Sequence, residues 1–101
     1  MSKHGLPDTA VAKLQSVFAA HPHVEQVILY GSRAKGNYRP GSDIDLTIVG
    51  DAVDWQELLR IDNEIDDLLL PYKWDLSLIR QIDNPDLLDH IRRVGVVFYP
   101  A

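Results

Sequence analysis

A small α/β domain, with a sheet of about four strands covered by helices, is the fold class this sequence predicts. Three observations lead there. Short apolar runs with strand character alternate with stretches of helical periodicity, so helices separate the strands. Capping residues, glycines and prolines mark where each element starts and stops. The chain has 101 residues, room for one domain at ~100–200 residues per domain, so 1–101 reads as a single unit.

The elements follow in order. The first seven residues look like a frayed start. From Asp8 to Ala20, Val11, Leu14, Val17 and Phe18 recur at helical spacing, and His21-Pro22 stops the helix. Val24 to Tyr30 reads as a strand. Gly31 to Ser42 is rich in glycine, proline and basic residues and almost free of apolar ones, which is loop chemistry with one helical turn opening at Ser32. Ile44 to Val49 is a buried strand. Asp54 caps the next helix with Glu57 in capping-box position, Leu58, Ile61, Ile65, Leu68 and Leu69 form its stripe, and Pro71 ends it. Trp74 to Ile79 is a third strand. Asn84-Pro85-Asp86 starts a helix lined by Leu87, Leu88, Ile91 and Val94. Gly95 closes it, and Val96 to Tyr99 is the last strand.

Composition excludes several functions. Hydrophobic residues are 46% and charged residues 25%, which is ordinary for a globular chain. The net charge of -5 disfavours duplex DNA as a partner, because duplex binding needs a basic footprint. With no cysteine, disulfides, thiolate zinc sites and thiol nucleophiles are out. No apolar run approaches the ~18 residues of a membrane span, and the N-terminal stretch lacks a signal-peptide core. A cytoplasmic protein without membrane attachment is expected.

One constellation carries chemistry. Asp43 and Asp45 stand two apart at the head of a strand, so both side chains project to one face. Two adjacent carboxylates raise each other's pKa unless a cation sits between them, and hard oxygen donors select Mg²⁺ or Mn²⁺. Asp75 interrupts the apolar Trp74-Asp75-Leu76. If that strand pairs beside Ile44–Val49, Asp75 completes a triad able to hold two ions ~3.5–4 Å apart. Gly31-Ser32 lets backbone approach a phosphate, within a stretch made positive by Arg33, Lys35 and Arg39.

Gly31-Ser32, ten residues, then Asp43-Ile44-Asp45 matches the G-S-x10-D-x-D signature of the DNA-polymerase-beta-like nucleotidyltransferase superfamily. Leu29-Tyr30-Gly31-Ser32-Arg33-Ala34-Lys35-Gly36, with Arg39 to Leu46, resembles the minimal nucleotidyltransferases of that superfamily. Pro71 to Leu76 resembles the strand of their third acid, and Asn84 to Ile91 with Gly95 to Tyr99 their C-terminal end. The similarity spans Ala10 to Tyr99. It implies a catalytic palm with a mixed sheet, built without an acceptor-binding domain. It also implies a helical HEPN-type partner in a hetero-oligomer, where the HEPN protein is an RNase toxin and the nucleotidyltransferase its antitoxin, in some branches moving AMP from ATP onto a toxin tyrosine. Carried over by position, Asp43, Asp45 and Asp75 would be catalytic and bind two Mg²⁺ (or Mn²⁺), and Asp75 would help deprotonate the acceptor. Gly31, Ser32, Arg33 and Ser42 would bind the nucleotide. Two alternatives stand beside this reading: a non-catalytic antitoxin that occludes its partner, and transfer to a small molecule such as an antibiotic.

Other residues read as structural. His21 and His23 belong to a loop, His4 to the frayed start, and His90 to the polar side of the last helix. Trp55, Trp74 and Phe98 read as core. Glu64, Asp66 and Asp67 form a solvated acidic face. Tyr38 and Arg39 lie within the loop and are candidates for nucleotide or acceptor contact, and Ser42 could serve the metals or cap the loop.

Overall fold

The computed structural model describes residues 2–100. Strands β1 (Ser2–Lys3) and β2 (Leu6–Pro7) lead into α1 (Asp8–Ala19). Then come β3 (Gln26–Tyr30), a single turn α2 (Ser32–Lys35), β4 (Ile44–Val49) and α3 (Trp55–Asp66). Strand β5 (Trp74–Leu78), a 3-10 turn (Ile79–Gln81), α4 (Pro85–Val94) and β6 (Val96–Tyr99) complete the chain.

The main sheet has the order β5-β4-β3-β6. Strand β3 pairs antiparallel with both β4 and β6, whereas β4 and β5 are parallel, so the sheet is mixed. A parallel pair needs a crossover, and α3 supplies it. Along β3 and β4, Val27 faces Ile48 and Leu29 faces Leu46. These side chains, with Ile44, Leu14, Phe18, Ile61 and Ile65, are the buried core between the sheet and α1 and α3. Truncating any of them to alanine would cost about 2–5 kcal/mol. Because side chains alternate, Ile28, Tyr30, Asp45 and Thr47 take the opposite face, where α4 packs on β3.

The helix starts follow local chemistry. Asp54 Oδ1 accepts the Glu57 amide at 2.8 Å, and Asn84 Oδ1 accepts the Asp86 and Leu87 amides at 2.9 and 3.3 Å. The reciprocal half of the expected capping box is replaced, because the Glu57 carboxylate turns to two histidines. Trp74 fits beside Asp75 by packing against the core and donating its indole N–H to Asp62 Oδ1 at 2.7 Å.

Three expectations are corrected. The start is not frayed over residues 2–7: β1 and β2 form a hairpin, Leu6 is fully buried, and the His4 carbonyl accepts the Arg33 guanidinium at 2.9 Å. Met1 lies outside the described residues. Leu69 leaves the α3 stripe, since the helix ends at Asp66 and Leu69, at φ 56°, is 87% exposed. Trp55 sits at the solvent end of α3 and is 58% exposed.

Candidate active site

The site forms where β3 runs out and β4 begins. Tyr30, the last residue of β3, pairs with Asp45, and Asp45 pairs in turn with Asp75 on β5. The register that the triad needs is therefore present. Asp43, two residues before Asp45, lies at the exposed end of the loop. Gly31 turns the chain out of β3 at φ 75° and ψ -158°, a region essentially restricted to glycine. This turn presses against Asp45: a Cβ on Gly31 would collide with Asp45 Oδ2. Glycine is required here both by the dihedral and by the close approach.

Electrostatics agree with that placement. Burial pushes the Asp45 carboxyl above its usual range, and the charges of Asp75 and then Asp43 push it further, while His90, when charged, pulls the other way. Desolvation likewise raises the Tyr30 phenol, with Asp75 and Asp45 adding to the rise against a hydrogen bond from Ser77. The three carboxylates thus feel one another across neighbouring strands. As placed, no three His, Cys, Asp or Glu side chains among the described residues are gathered closely enough to hold an ion. The donor set of Asp43, Asp45 and Asp75 is all oxygen, the chemistry that hard divalent cations prefer.

The basic loop divides into two roles. Arg33 points inward and is 1% exposed. Its Nε and Nη2 donate to the Ser42 carbonyl at 3.1 and 2.9 Å, its Nη1 to the His4 carbonyl, and its guanidinium lies 5.5 Å from the ring centres of both Tyr38 and Tyr72. A buried guanidinium needs such partners. This corrects the assignment of Arg33 to the nucleotide: it staples the turn after β3 to the residue before Asp43. Ser42 acts as a loop cap, with its Oγ accepting the Arg39 amide at 2.8 Å. Lys35 and Arg39 remain exposed beside the site.

His90 is the residue that sequence reasoning missed. It projects from α4 to the signature turn, where its Nε2 accepts the Gly31 amide at 3.1 Å, and its ring stands edge-on to Tyr30 at 6.2 Å. The signal was weak: a lone histidine five residues after a helix N1 proline carries no motif.

A groove of about 400 Å³ is lined by Ile28, Leu88, Ile91 and Val96 among others and by none of the three acids. A cleft of about 280 Å³ opens instead between Gly41–Asp43 and Pro71–Lys73, beside Asp43. Asp43 and Asp75 are exposed, and Asp45 is partly buried between them.

Comparisons with known proteins bear on the family and the fold. The profile of a family described as polymerase beta, nucleotidyltransferase, matches residues 12–101. Among solved structures, a toxin–antitoxin crystal structure with AMP-PNP superposes with a TM-score of 0.69 at 20% identity, over 95% of this chain and 75% of that one. A tri-AMPylated Shewanella oneidensis HEPN toxin in complex with its MNT antitoxin gives 0.66 at 16% identity, over 92% and 71%. The toxin–antitoxin complex MntA–HepT gives 0.67 at 15% identity, over 94% and 74%. At these identities the likeness is one of fold. No curated protein matches the chain by sequence. Among the described residues no helix is long and apolar enough to cross a membrane.

Proposed function

Because the chain belongs to the polymerase beta nucleotidyltransferase family, we propose that it moves AMP from ATP onto a tyrosine hydroxyl of a HEPN-type toxin, and so acts as an antitoxin. The nucleotidyltransferase class follows from the family. The nucleotide, acceptor and antitoxin role are supported by the similar complexes, one of which holds AMP-PNP and another an AMPylated HEPN toxin. The single observation that carries the site assignment is the contact of Gly31 with Asp45, with Asp75 in register beside it.

In this reading the Gly31-Ser32 turn receives the triphosphate, and the open carboxylate face receives the acceptor. Asp43, Asp45 and Asp75 would hold divalent cations, which supply charge neutralisation along the phosphates and a more acidic acceptor hydroxyl when bound. Asp75 accepts the hydroxyl proton. The acceptor oxygen forms its bond to the α-phosphorus, the α–β bridging P–O bond breaks, and pyrophosphate leaves with that electron pair. Tyr30, kept in its neutral form by burial and by the neighbouring carboxylates, is not the base.

The test is transfer of label from α-labelled ATP to a co-expressed HEPN-type protein in Mg²⁺. Wild type should label the partner, and Asp43→Ala with Asp45→Ala should lose more than about 100-fold. Label on a small hydroxylated acceptor alone would redirect the assignment. Full neutralisation of the toxin by the double variant would favour occlusion without catalysis.

A further inference from the structure

We infer that His90 is a positioning residue for the glycine turn: its Nε2 holds the Gly31 amide in the one backbone geometry that closes the turn on Asp45. The inference rests on the nucleotidyl-transfer reading and deepens it.

The turn is held on three sides. The Gly31 carbonyl accepts the Lys35 amide at 3.0 Å, its Cα lies against the Asp45 carboxylate, and its N–H is taken by His90 at 3.1 Å. A peptide in this glycine-only region persists only where its surroundings over-determine it. Two of the three ties come from the turn's own strand pair and helical turn. The third comes from α4, some 59 residues further along the chain.

Helix α4 is itself well seated. Asn84 caps its start. At its other end Gly95 lies so close to β3 that a Cβ there would stand 2.8 Å from Ile28 Cγ2. Between these points the His90 ring packs edge-on against the buried Tyr30. Because Nε2 accepts, the ring proton lies on Nδ1. The imidazole is therefore fixed in position and tautomer, as an acceptor aimed at one amide.

Losing the tie lets the turn sample other geometries. Nucleotide then binds only the fraction of molecules with the turn closed, so apparent affinity falls by that fraction while the bound complex reacts as before. A hydrogen bond of ordinary net strength corresponds to about a 3- to 10-fold change. Glutamine can present a side-chain oxygen to the same amide, whereas alanine cannot.

The experiment compares wild type, His90→Ala and His90→Gln as full chains. With His90→Ala, KM for ATP should rise about 3- to 10-fold with kcat within about twofold, and His90→Gln should recover most of the loss. Independently of any transfer, the Gly31 amide should exchange with solvent faster in His90→Ala by a similar factor and not in His90→Gln, with Val27 and Leu29 unchanged. An unaltered Gly31 exchange rate in His90→Ala overturns the inference. So does a loss of kcat at constant KM, or a glutamine variant no better than alanine. Absence of transfer by the wild type would defeat the functional reading instead, and the exchange measurement would still decide the role of His90.

Discussion

Two acidic clusters lie at opposite ends of β4, and they are wired in opposite ways. Near its C-terminal end, Glu57 and Glu64 of α3 close on a buried imidazole. His21 Nδ1 faces Glu57 Oε2 at 3.0 Å, His21 Nε2 faces Glu64 at 3.0 Å, and His23 Nδ1 faces the other Glu57 oxygen at 3.0 Å. Burial pushes the Glu57 carboxyl up, yet the hydrogen bonds and charge of the two histidines more than offset it, leaving it below its usual range. At the N-terminal end, Asp45 is pushed the other way by burial and by Asp75 and Asp43. One cluster has imidazole partners for its carboxylates and fastens the loop after α1 to α3. In the other, the carboxylates burden one another. The same residue type reads as structure or as chemistry according to whether the fold supplies its counter-charge.

The comparison can be broken most strongly by removing the imidazole. His21→Ala deletes the buried ring that Glu57 and Glu64 both contact and should lower unfolding free energy by about 2 kcal/mol, since hydrogen-bond partners left unpaired become a liability. Urea titration measures this, and transfer activity per folded molecule should hold. A smaller effect sharpens the other side. Asp45→Asn should melt higher than wild type in the absence of divalent ions, because a raised carboxyl pKa means its ionised form weighs against the fold at neutral pH. Mg²⁺ at tenfold over its Kd should then stabilise wild type by about 1.4 kcal/mol and leave Asp45→Asn unmoved in thermal melts. A response that survives in the variant would detach the metal from this acid. The smallest effect concerns acid. The folded pKa of Glu57 is depressed, so its contribution is present above the unfolded value of about 4.3 and is lost as pH falls through the folded one. The gap in urea midpoint between wild type and Glu57→Gln should therefore narrow as pH drops below about 4.3.

What could be read in the sequence was local or carried by spacing. Asp54 and Asn84 cap the helices they announce, and Gly31 with Asp43 and Asp45 are found at one sheet end. Asp75 needed only the assumption that β5 neighbours β4, which the parallel pairing meets. What could not be read depends on contacts distant in sequence. His21 finds its carboxylates 36 and 43 residues away. His90 reaches Gly31 only because α4 docks on the same sheet face as the acids. Arg33 misled by composition, since a base in a glycine-rich loop suggests phosphate, whereas two flanking tyrosines and two carbonyls hold it inside. The N-terminal hairpin was invisible for the same reason: its anchor is that guanidinium.

That anchor has a practical outcome. The guanidinium grips the His4 carbonyl on one side and the Ser42 carbonyl, one residue ahead of Asp43, on the other. The leading hairpin and the residue before Asp43 thus share one anchor. A purification handle is better placed at the opposite terminus, away from the hairpin that shares this anchor.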